Sequence, residues 1–325
     1  MNAWIVFQRM LVLLAMMLVG FFSYKKGVFK EKSLGDLSKF VVNIVNPLLV
    51  IDGVLGKDSG AGSAAIRQNI LMMIIYYIIL LVISIPVASL LKVKKSSSYL
   101  YQLMMIFSNV GFMGIPVITS LYGDGCVLYI AFYILGYNLL LYTYGLFLVD
   151  KSVRYSEGDP GASGHKDPAF NKVSLLGTLG KIFNAGVIAC ILAVLIFAFS
   201  LKVPQPAQQF VSMLGSCAVP LSMVLIGASM AQQSFKTLLT DKKVYLFLTI
   251  RMIVMPIIAA LIVRNIAFDR QVIGVFGLMM AMPIGSIVVL LAKQQGADET
   301  VCTRASVIST LASVITIPLV AAFLP

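Results

Sequence analysis

Two short stretches combine helix-breaking residues with small polar side chains inside otherwise apolar segments. The first is SNVGFMGIP, from Ser108 to Pro116, and the second is AMPIGS, from Ala281 to Ser286. Proline removes a backbone donor and clashes with the carbonyl four residues earlier, and glycine lowers the cost of leaving helical geometry. We therefore expect a helix to break at each stretch. A broken helix exposes amide donors at a new N-terminus, which suit a carboxylate, and carbonyl acceptors at a new C-terminus, which suit a cation or a donor.

Neutral polar side chains flank the two expected breaks, which lie around Gly111–Pro116 and Ala281–Ser286. A site made of neutral groups costs less to dehydrate than one built on a buried lysine, and it can release a bound anion again. Asn46 precedes Pro47, so its side chain either contributes to such a site or caps the backbone that the proline frees. The candidate substrate-binding residues are Ser108, Asn109, Gly111, Pro116, Pro283, Ser286, Asn43, Asn46 and Arg251.

Two of the few charged residues in or beside apolar segments are candidates for a function. Arg251 lies well inside the eighth apolar segment, where an arginine is expensive and normally faces a cavity or a partner. It either attracts an anion or is a structural residue that is paired or extends to the surface. Asp52 lies near the end of the second segment. It is either an interfacial carboxylate or a gate or proton-binding group.

Hydroxyl side chains recur at helical spacing in the last apolar segment. Such a stripe commonly mediates contacts between membrane helices, and the alternative is that one face of it borders the binding site. The residues of the stripe are Ser306, Ser309, Thr310, Ser313 and Thr316.

The composition identifies an integral membrane protein. The 325-residue chain is 59% hydrophobic and 12% charged, whereas ordinary soluble domains carry about 25% charged residues. The net charge of +12 is spread between the apolar segments rather than gathered in one patch, which argues against nucleic-acid binding and for topology signals. The four cysteines have no CxxC spacing, so we interpret them as small buried hydrophobic residues.

No sequence motif supports an enzyme. The chain lacks HExxH, GxSxG and Walker-type patterns and has no paired carboxylates within its apolar segments. Its only histidine, His165, lies in a polar connection and is assigned no catalytic or metal-binding role. We expect a protein without a metal site or a cofactor.

Apolar segments long enough to cross a bilayer recur along the chain, because about 20 residues span the ~30 Å hydrocarbon core. One long connection rich in Gly, Pro and Ser, 150–177, separates the halves 1–149 and 178–325. The sequence therefore predicts an all-α membrane protein of ten transmembrane helices, five in each half. The predicted spans are 3–23, 37–56, 68–91, 99–121, 126–149, 178–201, 208–230, 243–267, 271–292 and 303–324.

The basic residues predict the orientation. Connections after odd-numbered spans, together with the helix ends beside them, hold 18 Lys and Arg residues, and those after even-numbered spans hold five. Positive residues stay in the cytoplasm, so we expect a multi-pass protein of the plasma membrane with both termini outside and the linker 150–177 inside. An odd number of spans in each half makes the halves opposite in orientation, which predicts an inverted repeat.

Prolines occur in matching spans of the two halves. We therefore expect the broken fourth and ninth helices to occupy equivalent positions and to cross near the middle of the membrane. The pairs, at nearly constant offsets of 173, 170 and 167 residues, are Pro47 with Pro220, Pro86 with Pro256, and Pro116 with Pro283.

The motifs NPLL in the second span, SNVGFMGIP in the fourth and AMPIGS in the ninth resemble those of the auxin efflux carrier family. The family includes plant auxin exporters and bacterial malate permease-like proteins, and the resemblance covers essentially the whole chain. It implies a fold related to bile-acid-type symporters, in which spans 1, 2, 6 and 7 form a scaffold with a homodimer interface. The other six spans would form a transport domain that carries the substrate carboxylate at the crossed helices and moves against the scaffold.

Two departures from the family pattern bear on the substrate. Ser286 stands where an asparagine often follows the ninth-span proline, and Tyr76 and Tyr77 replace the acidic and basic pair in the third span of plant carriers. Both departures argue against auxin itself. The residues that match the family motifs are Asn109, Gly111, Pro116 and Pro283.

These observations predict a secondary transporter of small organic anions that works by alternating access. Efflux of an anion needs no coupling ion, whereas uptake would require a proton or a sodium ion, for which Asp52 is the one candidate carboxylate. Two alternatives remain open. One is sodium-coupled uptake of a larger amphipathic anion, and the other is a membrane receptor that binds a ligand without transporting it.

Overall fold

The fold is that of a multi-pass helical membrane protein. The structure, a computed structural model, describes residues 3–55, 63–156, 184–199, 201–232, 241–266 and 268–324. Within this part of the chain, seven helices are long and apolar enough to cross a membrane. The prediction of an all-α membrane protein is therefore confirmed.

The helices of the described residues follow the order of the apolar segments. They are α1 (Ala3–Lys25), α2 (Glu31–Asp52), α3 (Ser63–Leu90), α4 (Lys95–Ile106), α5 (Val110–Tyr122), α6 (Val127–Ser156), α7 (Ala185–Ala198), α8 (Gln205–Gly215), α9 (Ala218–Ala231), α10 (Lys242–Val263), α11 (Arg270–Ala281), α12 (Ser286–Gln294) and α13 (Thr300–Ala321).

Three helices extend beyond the predicted spans by five residues or more, and one of them, α3, begins at Ser63 rather than at 68. Helix α2 begins at Glu31 rather than at 37, and α6 continues to Ser156 rather than ending at 149. In that extension Asp150 and Arg154 form an ion pair at 2.8 Å, a spacing that supports a helix at its solvated end. The remainder of the predicted linker, 157–177, and the start of the sixth span lie outside the described residues.

Wide π-helical turns precede three of the prolines. A proline cannot donate to the carbonyl four residues back and its ring clashes with that carbonyl, and a wider turn relieves the conflict. Pro86, in contrast, lies inside α3 without such a turn, so the prolines that match in sequence do not all share one local structure. The turns are Val41–Val45 before Pro47, Val110–Gly114 before Pro116, and Ile250–Val254 before Pro256.

Helices α1, α2, α7, α8 and α9 pack against one another, and α1 also packs against α13 and α7 against α6. Helix α1 packs along α9 so closely that a side chain on Gly20 would overlap the backbone of Val224, and one on Gly227 would overlap the backbone of Met17. Small residues allow such direct backbone contact between membrane helices. Helix α2 packs against α7 and α8.

The other helices surround the two interrupted segments. Helix α4 packs against α3 and α6, and α11 packs against α3, α10 and α13. Residues on both sides of the interruptions are fully buried, including Met104, Met105, Phe107, Met279 and Met282. The interruptions therefore lie in the interior of the protein, as backbone groups outside a helix must at membrane depth.

Candidate functional site

Two interrupted helices meet at one point, which we call the crossover. Residues 107–109 separate α4 from α5, and residues 282–285 separate α11 from α12. Within these two segments Ser108 and Ile284 pair as an antiparallel bridge. The two interruptions thus lie next to each other.

Backbone hydrogen bonds join the two interruptions. The amide of Asn109 donates to the carbonyl of Pro283 at 2.7 Å, and the amide of Gly285 donates to the carbonyl of Phe107 at 3.0 Å. A Cβ atom on Gly285 would lie 3.1 Å from the carbonyl oxygen of Ser108, which is tighter than ordinary van der Waals contact. A glycine at this position thus allows the close approach of the two chains.

The first interruption lies earlier in the chain than the sequence predicts. The expected break was Gly111–Pro116, but these residues belong to the first turns of α5. The helix starts after Asn109 because the Asn109 side chain accepts a hydrogen bond from the amide of Phe112 at 3.2 Å. Asparagine is among the best residues for capping a helix N-terminus, so a capping residue fixes the break and the proline follows inside the helix.

Hydroxyl groups of α13 hold the second interruption. The amide of Ile284 donates to Ser309 Oγ at 3.1 Å, and Ser306 Oγ donates to the carbonyl of Ile284 at 3.4 Å. Part of the predicted hydroxyl stripe thus makes helix contacts. Ser306 and Thr310 also line the cavity described below, so the stripe both makes helix contacts and borders the cavity, and Ser306 does both.

Arg251 lies next to the crossover, and its side chain is 1% exposed. Its Nε donates to the carbonyl of Met105 at 2.9 Å, and its Nη1 donates to the carbonyl of Met280 at 2.6 Å. These carbonyls belong to the last turns of α4 and α11, which carry the partial negative charge of each helix and lack intrahelical partners. One guanidinium group therefore satisfies the C-terminal ends of both interrupted helices.

Tyr76, on α3, connects Arg251 to the first interruption. The Tyr76 hydroxyl shares a hydrogen bond of 2.8 Å with Ser108 Oγ, and it lies close to the Arg251 guanidinium. Tyr76 is fully buried. The only sequence signal for this residue was its departure from the plant carriers, and nothing in the local sequence indicated its partner.

A cavity of about 400 Å³ opens beside the crossover. One wall comes from α2 and α9, and the opposite wall comes from α5, α12 and α13. Asn109 and Ser286 lie at its inner end, and Glu31 and Lys293 lie at the helix ends toward which it extends. Asn109 and Ser286 stand where α5 and α12 begin, so the cavity adjoins the N-terminal ends of these two helices.

The crossover divides the four helix ends by charge. Arg251 occupies the carbonyl ends of α4 and α11, while the amide ends of α5 and α12 adjoin the cavity. An amide end carries a partial positive charge. At the start of α5 the amides of Val110 and Phe112 already donate to the Ser108 carbonyl and to the Asn109 side chain, so only the other first-turn amides of α5 and α12 are open to a ligand. The cavity end of the crossover is therefore suited to an anion.

The structure brings together some of the predicted site residues and not others. Asn109 and Ser286 line the cavity, and Ser108, Pro283 and Arg251 form the crossover behind it. The α2 and α9 wall was missed, since its residues have no distinctive spacing. The remaining predicted residues are not among those that line the cavity. They are Gly111 and Pro116 in α5, Asn43 exposed on α2, Asn46 half-buried on α2, and Asp52 half-buried at the end of α2.

Metal-binding groups do not gather at this site. Among the residues that the structure describes, no three His, Cys, Asp or Glu side chains lie close enough together to hold a metal ion.

Comparisons with known proteins agree with this architecture. The model of a family described as "Membrane transport protein" matches residues 5–321. An uncharacterized transporter of Methanothermobacter thermautotrophicus is 22% identical over 312 residues, which cover 96% of each protein. Because the family match covers nearly the whole chain, the protein belongs to this membrane transport family, the auxin efflux carrier family that its motifs resemble.

Proposed function

We propose that the protein is a secondary transporter of small organic anions and that it binds a carboxylate at the crossover. The observation that carries this proposal is the division of the helix ends. Arg251 donates to one carbonyl at the end of α4 and to one at the end of α11, and the amide ends beside Asn109 and Ser286 adjoin the cavity. Free amides at a helix N-terminus bind anions without further charged groups.

The cavity walls suggest how a substrate is oriented. The carboxylate lies at the inner end, where the Asn109 and Ser286 side chains add neutral hydrogen-bonding groups. The rest of the molecule lies against a largely apolar surface that includes Phe112, Leu225 and Val289. Such a surface with a few polar groups at one end is typical of sites for small organic molecules.

We further propose an elevator-type movement between two units. The scaffold contains α1, α2, α7, α8 and α9, and the transport domain contains the other helices with the crossover. The cavity lies at the boundary between these units, where relative movement would change its access from one side of the membrane to the other. A homodimer through the scaffold is part of the same proposal.

The inverted repeat and ten spans belong to this proposal as well. Helices α4 and α5 together form the fourth span, and α11 and α12 the ninth. Packing of α1 on α9 and of α7 on α2 supports the repeat, because an operation that exchanges spans 1 and 2 with 6 and 7 converts one contact into the other.

The orientation of the cavity follows from the proposed topology. The cavity extends toward Glu31, Gln232 and Lys293, at helix ends that the distribution of basic residues assigns to the cytoplasm. We therefore interpret this conformation as open to the inside. Efflux of an anion through it would be driven by the membrane potential, at ~2.3 kcal/mol per charge per 100 mV.

Transport into proteoliposomes tests the proposal. Purified protein is given labelled malate, malonate, lactate and indole-acetate under imposed potential or pH gradients, with and without sodium. We expect one or more acids to move under potential alone, and Asn109→Ala to raise the concentration needed for half-maximal transport at least several-fold. Asn265→Ala, an exposed asparagine in the turn after α10, is the matched control.

The other outcomes distinguish the alternatives. Transport that requires sodium would favour coupled uptake over efflux. Saturable binding without accumulation in sealed vesicles would favour a receptor. If Asn109→Ala and Asn265→Ala change the concentration needed for half-maximal transport equally, the substrate does not bind at the crossover.

A further inference from the structure

One buried charge belongs to the same unit as the proposed binding site. The six spans that form the proposed transport domain contain one Asp, Glu, Lys, Arg or His residue in their sequence, and it is Arg251. Every other charged residue of that unit lies at a span end or in a connection. The stretches compared are 68–91, 99–122, 127–149, 244–263, 271–292 and 305–324.

The charge of Arg251 has no counter-ion in the described structure. Its hydrogen-bond acceptors are the neutral carbonyls of Met105 and Met280, and no carboxylate of the described residues forms an ion pair with it. Its Nη2 atom is buried and has no hydrogen-bond partner among the residues that the structure describes. Carbonyl dipoles solvate a guanidinium group but leave its net charge unchanged, and a buried arginine normally has a partner of opposite charge.

The crossover places that charge beside the proposed anion site. Arg251 contacts the turns that immediately precede both interruptions, and Tyr76 lies between it and Ser108. Asn109, the next residue, lines the cavity. An anion at the inner end of the cavity would therefore lie on the opposite side of the crossover from the guanidinium group, close enough for its charge to act in a medium of low dielectric constant.

We propose that Arg251 acts as a built-in counter-charge, so that the transport domain is neutral when it carries a monovalent anion and positive when it is empty. This inference rests on the proposed function, since it requires that the crossover moves with its anion. It assigns the voltage-sensitive step to the return of the empty domain rather than to the movement of the loaded one. It also predicts preference for a monoanion, because a dianion would leave the loaded domain negative.

The sign of the effect is fixed by the charge. A potential negative inside attracts the positive empty domain toward the cytoplasmic side, where it can load again. A single charge that crosses the whole potential changes its distribution about tenfold for every ~60 mV. Net efflux should therefore be accelerated by the potential, while exchange of the anion, in which the domain never crosses empty, should be nearly independent of it.

The experiment compares exchange with net efflux in the same proteoliposomes. The probe is labelled lactate or indole-acetate, whichever the transport panel shows to move, at saturating concentration. The potential is varied from 0 to about −120 mV, a range over which the distribution of one full charge changes about tenfold for every ~60 mV. With unlabelled acid on the other side, we expect the exchange rate to change by less than about twofold. Without it, the net efflux rate should rise several-fold.

Substitutions separate this role from a structural one. Arg251→Gln retains donors for the carbonyls but removes the charge, so that the loaded domain becomes negative and exchange should acquire the voltage dependence. Arg251→Lys keeps the charge, so its exchange should remain nearly independent of potential even if its transport rate is lower. Arg264→Gln, an exposed arginine just beyond the end of the same helix, is the matched control. Since the comparison of exchange with efflux uses the unsubstituted protein, it stands even if Arg251→Gln does not fold.

Two negative outcomes have different meanings. If an acid is transported but its exchange depends on potential as steeply as its net efflux, the counter-charge proposal is wrong and the transport proposal stands. If no acid moves under any gradient, both fail.

Discussion

The amide of Asn109 donates to the carbonyl of Pro283 at 2.7 Å, and this bond makes the two helix interruptions a single structural unit. Neither interruption has enough partners within its own chain segment. The first depends on Pro283 and Tyr76, and the second depends on Phe107 and Ser309. A movement of one interruption must therefore carry the other with it.

Replacement of Gly285 by alanine should weaken the crossover. The new Cβ would lie 3.1 Å from the carbonyl oxygen of Ser108 and 3.3 Å from that of Phe107, and both belong to backbone that cannot easily move. We expect a loss of about 1–3 kcal/mol in stability, measured as a lower unfolding midpoint in detergent. Gly111→Ala is the control, since no atom lies within 4 Å of its added Cβ. Equal midpoints for the two variants would contradict the close approach.

Removal of the Tyr76 hydroxyl should destabilise the protein more than removal of the neighbouring Tyr133 hydroxyl. Tyr76→Phe loses the hydrogen bond to Ser108, and we expect it to cost about 0.5–1.5 kcal/mol. Tyr133→Phe removes a buried hydroxyl for which the described residues provide no partner, so it should be neutral or slightly stabilising. The two rings are in edge contact in the same buried cluster. The unfolding temperatures of the two variants are measured under the same conditions. A larger loss of stability for Tyr133→Phe than for Tyr76→Phe would contradict the prediction.

Arg251→Met should destabilise the protein strongly. The substitution leaves the carbonyls of Met105 and Met280 without their donor, and each buried unsatisfied group costs about 1–3 kcal/mol. Arg251→Lys should recover part of the loss, because an ammonium group reaches fewer acceptors than a guanidinium fork. The unfolding midpoint decides this, with Arg264→Met as the surface control. A wild-type midpoint for Arg251→Met would show that the carbonyls find other donors.

The contact of α1 with α9 should not tolerate a larger residue. A Cβ atom on Gly20 would overlap the backbone of Val224, so Gly20→Ala must separate the two helices. We expect the stability to fall by about 1–3 kcal/mol, which would appear as a lower unfolding midpoint in detergent. Gly35→Ala, on α2, meets no atom within 4 Å and should be neutral or stabilising. Should Gly20→Ala be as stable as Gly35→Ala, the two backbones are not in contact.

Cysteine labelling tests the proposed orientation. Asn265 and Gln295 are both exposed and lie at helix ends that the topology assigns to opposite sides of the membrane. In a protein whose four native cysteines are replaced, a membrane-impermeant maleimide should label Asn265→Cys in intact cells and should label Gln295→Cys after permeabilisation only. The reverse pattern would invert the topology and would make the cavity face outward.

Sequence patterns predicted the local features of this site well. Proline, glycine and asparagine act on their own backbone or within one turn, so the two interrupted segments were recognisable from composition alone. The second interruption falls within its expected range, Ala281–Ser286. The first was misplaced because the prediction relied on Pro116, whereas the capping side chain of Asn109 determines where α5 begins.

The partners of Arg251 were beyond such patterns. The sequence placed Arg251 well inside an apolar segment but left open whether its side chain was buried, and its acceptors come from two helices far away in the chain, at Met105 and Met280. The α2 and α9 wall of the cavity could not be predicted for the same reason, since its residues are ordinary helix residues that line the cavity only because of how the helices pack. Interactions set by tertiary packing leave no signal at the residues themselves.

The wide turns before Pro47, Pro116 and Pro256 also have a mechanical consequence. Hydrogen bonds in such a turn are fewer and less well aligned than in an α-helix, so its bending stiffness is lower. The crossover, in contrast, is cross-braced by bonds from several helices. Elastic strain in this protein should therefore concentrate about one turn before each of these prolines and at the wide turn Leu141–Gly145 of α6, a helix that contains no proline.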